Sequence, residues 1–166
     1  MNSEIPKRKK NRLNNYDYSS CGAYFLMICT ADRRNLLWRD APSDVGAIID
    51  RPSDIELSQY GIIIDKAIND IPIIYPAVKI DYYVIMPDHI HLLLSIRADE
   101  NGRPMVAPTV SRIVKQLKGS VTKQIGKSIW QKSFFDHVIR NKEDYEKHVK
   151  YIYENPLALY YDRGGH

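Results

Sequence analysis

Only two cysteines occur in the 166 residues, Cys21 and Cys29, and their spacing suits neither a metal knuckle nor a framework of disulfides. Both fall in or beside an apolar, strand-like run, so they read as buried free thiols. No apolar stretch approaches the roughly 20 residues that a membrane-spanning helix needs, which excludes an integral membrane protein of that type. A Gly-rich phosphate loop is missing, so nothing points to a nucleotide-cofactor enzyme. Internal repeats and low-complexity segments are missing too. Neither sign of charge dominates, with 24 Lys and Arg against 20 Asp and Glu.

What remains is the composition of a globular domain. Apolar residues make up 44% and charged residues 27% of a 19.3 kDa chain. A chain of this size buries roughly two thirds of its unfolded surface and needs no metal or disulfide simply to fold. The charge is polarised: residues 1–39 carry a net +5, residues 40–100 a net −7 and residues 101–166 a net +6. Two basic segments around an acidic middle fit a polyanionic partner, although any single run of charge can be a solvated surface. Lys7-Arg8-Lys9-Lys10 precedes an apolar run, but the polar insert NNYDYSS separates them and no small-residue cleavage site follows. A cytoplasmic protein with no membrane partner is expected.

Residues 1–20 are basic, polar and Asn-rich and read as a flexible arm; 21–158 read as one domain and 159–166 as a tail. AYFLMICT, from Ala23 to Thr30, predicts a buried strand. Residues 31–54 fit a loop carrying a small hairpin. Leu57, Tyr60, Gly61, Ile64, Ile68 and Ile71 recur at helical spacing, with Ser58 as N-cap and Pro72 as the stop. Val78–Met86 and His89–Arg97 read as two strands. Thr109–Ile125 is the clearest helix, its apolar stripe opposite Arg112, Lys115, Lys118 and Lys123. Ile129–Ile139 reads as a strand and Lys142–Glu154 as a final helix ending at Pro156. The order strand, helix, strand, strand, helix, strand is the α+β split βαβ arrangement of ferredoxin-like folds with an antiparallel sheet, here with a C-terminal helix appended.

Two segments carry chemistry. His89 and His91 lie at i and i+2 on a strand, project from one face and can reach one divalent ion. The spacing alone does not choose among Zn, Ni, Cu, Mn and Fe, and such a pair is also compatible with two exposed histidines on a half-buried strand. Asp88 adjoins the pair but is not placed on its face by strand alternation, and it reads as a turn residue. On the last helix, Tyr145, Val149, Ile152, Tyr153 and Pro156 form the expected buried stripe. His148, Tyr151 and Asn155 share a separate arc, which presents Tyr151 off the core face. Tyrosine packing in an interface would produce the same spacing.

The segments YYVIMPDHIHLLLSI, IWQKSFFDHVIR and HVKYIYENP, in this order, resemble the single-tyrosine HUH transposases, and within them the REP-associated branch. His89-Ile90-His91 matches the His-hydrophobic-His motif, and the resemblance runs from about Ala23 to Leu157. It implies cleavage of single-stranded or hairpin DNA with Tyr151 as nucleophile, leaving a 5′-phosphotyrosine link and a free 3′-hydroxyl. It implies a divalent ion, magnesium or manganese, on His89 and His91, with Asn155, four residues after the tyrosine, as the third ligand. Asn155 also fits a helix cap before Pro156, and His148 is the alternative third ligand. Since some relatives exchange the tyrosine helix between copies, a homodimer is compatible with the resemblance. DNA contacts are expected from Arg112, Lys115, Lys118 and Lys123 and from the arm residues Lys7, Arg8, Lys9, Lys10 and Arg12. Trp130, Phe134 and Phe135 offer rings for stacking on bases, but core packing suits Trp130 and Phe134 better. The rival readings are a non-catalytic nucleic-acid-binding module on the same sheet and a hydrolase that activates water.

Overall fold

β-branched and aromatic residues in period-two runs build the sheet. In the computed structural model, which describes residues 22–39, 56–97 and 108–162, these runs become β1 (Gly22–Cys29), β2 (Val78–Ile85), β3 (His89–Ile96) and β4 (Phe135–Val138). The helices are α1 (Gln59–Ile74), α2 (Val110–Ile125) and α3 (Lys142–Asp162). The strands form one antiparallel sheet in the order β2-β3-β1-β4, which is the ferredoxin-like arrangement expected from the element order. The basic arm, including Lys7, Arg8, Lys9, Lys10 and Arg12, lies outside the described residues.

Strand alternation sorts the two faces of the sheet. Ile90, Leu92, Leu94 and Ile96 of β3 join Tyr24, Leu26 and Ile28 of β1 and the apolar stripes of α1 and α2 in the main core. Burying each such side chain contributes about 1.5–3 kcal/mol. The other face carries Phe25 and Leu93, which pack with Ile152 of α3 in a smaller cluster. The tyrosine helix and the two helices of the main core therefore cover opposite faces. β3 is buried on both, as an interior strand must be.

Local chemistry sets most boundaries. Ser58 caps α1 by accepting from the Gly61 N–H at 3.2 Å, and Thr109 caps α2 by accepting from the Arg112 N–H at 3.2 Å. Gly126 ends α2 in the left-handed conformation at φ 89°. Asn141 accepts from the Asp144 N–H at 2.8 Å and starts α3. Both prolines expected as stops lie inside their helices: α1 runs two residues past Pro72, and α3 passes Pro156. Each proline removes one N–H donor, a loss that α1 tolerates at Pro72 because only two helical residues follow it. β4 is shorter than the predicted strand. Trp130 makes one isolated bridge to Thr30, and the Gln131 and Ser133 carbonyls then accept from Lys118 Nζ instead of a neighbouring strand. Of the loop after β1, the described part is a 3-10 turn at Ala31–Arg33 and an isolated Trp38–Leu57 pairing.

Two helical glycines give a matched prediction. A Cβ on Gly61 would collide with the Leu37 backbone carbonyl oxygen, whereas one on Gly119 would meet nothing within 4 Å. Gly119→Ala should raise stability by about 0.5–1 kcal/mol through helix propensity. Gly61→Ala should lower it by about 1–3 kcal/mol despite the same propensity gain, because backbone cannot move aside like a flexible side chain. Urea unfolding midpoints of the two variants should shift in opposite directions.

Candidate active site

The face of the sheet covered by α3 gathers the candidate site residues. Pairing β1 with β3 sets Phe25 opposite Leu93 and Met27 opposite His91. Pairing β1 with β4 sets Phe135 opposite Met27 and His137 opposite Phe25. Phe25, Met27, His89, His91, Phe135 and His137 thus share one face, and α3 brings Lys147, His148, Lys150, Tyr151 and Glu154 over it. A cavity of about 520 Å³ is lined by Phe25, Met27, His91, Phe135 and these α3 residues.

The two imidazoles converge. His89 Nε2 lies 3.0 Å from His91 Nε2, with the rings edge to face. Without an ion this is a hydrogen bond in which one ring donates. The same separation fits two donors at right angles on an octahedral ion with bonds of about 2.1 Å; a tetrahedral centre would need roughly 3.4 Å. The two converging imidazole nitrogens fit a divalent cation. Asn155, the expected third ligand, has a buried side-chain Nδ2 with no hydrogen-bond partner in the protein, but an amide nitrogen donates, so only its Oδ1 could serve a cation.

Behind the pair stands a charged chain. Asp88 Oδ1 accepts from His89 Nδ1 at 2.6 Å, and Asp88 Oδ2 pairs with Arg33 Nε at 3.0 Å. A proton fixed on Nδ1 by the carboxylate leaves the Nε2 lone pair available as a ligand. Asp88 is therefore more than a turn residue: its short side chain reaches along the backbone to the ring of its own neighbour. Arg33 carried no signal in the sequence. Asp88→Asn should weaken divalent-ion binding by about 10–100-fold with little change in fold, measurable by calorimetric titration with Mn²⁺.

Burial sets the protonation of the pair. It pushes His91, which is 1% exposed, down to about 3, and the nearby His89 and Arg33 charges act in the same direction. Burial likewise lowers His89, against the opposing pull of Asp88. Both rings stay neutral at neutral pH, the state that binds metal. The unfolded chain protonates near pH 6.5 and the folded His91 only near 3, so His91 contributes nothing to pH-dependence above 6.5. As pH falls from 6.5 to 3 the unfolded state alone gains the proton, and stability drops by on the order of 4 kcal/mol. The slope of unfolding free energy against pH over this window should flatten in His91→Leu.

Tyr151 is 48% exposed, and its ring centroid sits 5.2 Å from that of His91 and 6.1 Å from that of Phe25. Phe25 stacks on His91 at 5.1 Å and touches His148 at 4.6 Å. The helix places Tyr151 off its buried stripe, as the spacing predicts; Tyr153, expected in that stripe, is exposed and packs edge-on against Tyr82. His148 Nδ1 faces Asp144, 2.8 Å from its carbonyl and 3.2 Å from its carboxylate. Asp144 also binds His137, and these three residues offer ligand atoms within 4.8 Å of one another. The expected DNA-contact residues divide. Arg112, Lys115 and Lys123 are exposed on α2, on the sheet face opposite Tyr151. Lys118 is drawn into the fold, with Nζ 2.7 Å from the Gln131 carbonyl and burial lowering its basicity. Trp130 is buried in the core and Phe134 packs against it, while Phe135 is exposed. Lys147 and Lys150, which line the cavity, are not among the residues expected from the sequence.

The architecture is that of a solved transposase. A REP-associated tyrosine transposase bound to a REP hairpin superposes with a TM-score of 0.61 at 24% identity, covering 89% of this chain and 74% of that one. In sequence, the REP-associated tyrosine transposase of Escherichia coli K12 is 34% identical over 80 residues, 48% of this chain and 44% of that protein. That match spans less than half the length of the transposase. An uncharacterized protein of Haemophilus influenzae is 29% identical over 181 residues, 98% of this chain and 95% of its own. No protein-family model matches the chain. Over about half of its length the chain is similar in sequence to REP-associated tyrosine transposases, and it shares the fold of the solved one. Among the described residues, no helix is long and apolar enough to cross a membrane.

Proposed function

We propose that this chain nicks and rejoins single-stranded DNA beside a hairpin, using Tyr151 as the nucleophile at a metal site built on His89 and His91. The observation that carries the reading is the placement of the Tyr151 ring against His91, on the face where the two Nε2 atoms converge. In this reading the Tyr151 oxygen attacks phosphorus, the bond to the 3′ oxygen breaks, and a 5′-phosphotyrosine link and a 3′-hydroxyl result. The phenolic proton leaves to solvent or a nearby base, and the departing 3′ oxygen takes up a proton. The phosphodiester energy is kept in the link, so a 3′-hydroxyl can reverse the step and join strands without ATP.

A divalent ion on His89, His91 and Asn155, magnesium or manganese, would supply positive charge to offset that developing on the phosphate. Asp88 and Arg33 hold the His89 ring in its ligand tautomer. Phe25 excludes water behind His91. Lys147 and Lys150 beside the cavity suit the phosphates on either side of the scissile one, and the exposed Phe135 suits a stacked base. Arg112, Lys115 and Lys123 would meet the duplex only where DNA reaches the opposite side of the sheet. Hairpin DNA as substrate is supported by the relative solved with a REP hairpin.

Labelled single-stranded hairpin DNA incubated with the protein and Mn²⁺ should yield an adduct that survives denaturing electrophoresis and disappears on chelation. Binding without cleavage or adduct would instead favour the nucleic-acid-binding module, and cleavage without an adduct the water-activating hydrolase.

A further inference from the structure

A second group of ligand-type side chains lies apart from the histidine pair and has no part in the proposed reaction. His137 projects from β4, and Asp144 and His148 lie one turn apart on α3. Asp144 Oδ2 is 2.9 Å and Oδ1 3.1 Å from His137 Nε2, and Oδ1 is 3.2 Å from His148 Nδ1. The two imidazoles lie nearly parallel, with centroids 4.8 Å apart and planes inclined by 20°, and both rings meet the same carboxylate. Asp144 also accepts from the Arg140 N–H at 3.1 Å, which fixes the carboxylate from the backbone side. The Phe25 ring touches both His91 and His148, so it stands between this group and the first pair.

We infer that His137, Asp144 and His148 form a second divalent-cation site, distinct from the His89–His91 pair, that ties β4 to the start of the tyrosine helix. Two imidazoles and one carboxylate are a donor set for borderline ions such as zinc, cobalt or manganese. Three protein ligands leave a position for water. To coordinate, each imidazole places its N–H on the nitrogen away from Asp144, so the hydrogen bonds of the ion-free state give way to metal bonds with no net loss of protons. The ion would join residues seven apart in sequence across the junction between sheet and helix, fixing the helix that presents Tyr151. This inference does not depend on the nuclease reading, because the ligands and the test are independent of DNA.

The test uses untagged full-length protein and Co²⁺ as the probe. His89→Ala/His91→Ala should still bind one Co²⁺ per chain with a visible d–d band, and adding His137→Gln or Asp144→Asn should abolish it, with circular dichroism reporting the fold. Wild-type protein supplies a check that needs no variant: Zn²⁺ should shift the imidazole ¹⁵N resonances of His137 and His148 as well as those of His89 and His91. The inference is overturned if the double variant binds no Co²⁺, if binding ignores the added substitutions, or if only the His89 and His91 resonances move.

Discussion

Replacing Tyr151 by phenylalanine should abolish the DNA adduct and lower strand cleavage by about three orders of magnitude or more, while hairpin binding changes less than about threefold. The substitution removes one oxygen from a half-exposed ring and leaves its packing against Phe25 and His91 in place. Loss of activity therefore reports chemistry rather than folding, and equal thermal midpoints for the two proteins verify this. The neighbouring Tyr153 is more exposed but lies against Tyr82, away from the histidines. Tyr153→Phe should leave cleavage within about twofold. A binding module predicts no change from either substitution. A hydrolase predicts that Tyr151→Phe still cuts.

His89→Ala and His91→Ala should each reduce metal-dependent cleavage by about a thousandfold, since several kcal/mol of transition-state charge stabilisation would be lost with the ion. The two variants should differ in stability. His91 is buried beneath Phe25 and Tyr151, so truncation leaves a void, offset in part by removal of a buried Nδ1 that has no partner. His89 is held by Asp88, and its loss leaves that carboxylate paired with Arg33 alone. Manganese titration calorimetry separates the effects: each variant should lose binding at the first site, and excess Mn²⁺ should restore cleavage only partially. Full activity in either variant would remove the metal from the proposed mechanism.

Period-two alternation in HIHLLLSI was enough to place His89 and His91 on the face opposite Ile90, Leu92 and Leu94, because a strand buried on both sides has only two faces to offer. The spacing of His148, Tyr151 and Asn155 likewise gave the tyrosine's orientation on its helix. Neither pattern carried register. That Phe25 and His137 join this face depends on β1 pairing with β3 and β4, contacts between segments more than 60 residues apart. The alternation of Phe135 and His137 was present in FDHV but had no meaning until β4 was paired with β1. Asp88 lies in the turn as expected, but face assignment describes only where a side chain leaves the backbone, and a carboxylate at the end of a turn can still reach the next ring. The α2 lysines show the limit of a helical stripe. Lys118 sits on the polar arc, yet two loop carbonyls capture its ammonium, a contact that no periodicity encodes. Pro72 was over-read as a stop because a helix near its end has few bonds left for a proline to break, while α3 continues six residues past Pro156.

The identity of the residue joined to DNA tests the central claim most directly. After reaction with hairpin DNA and Mn²⁺, nuclease and protease digestion followed by mass spectrometry should find the 5′-phosphonucleotide on the peptide containing Tyr151, at that tyrosine. A nucleotide on Tyr145, Tyr153 or any other residue, or strand cleavage with no modified peptide, would contradict the account.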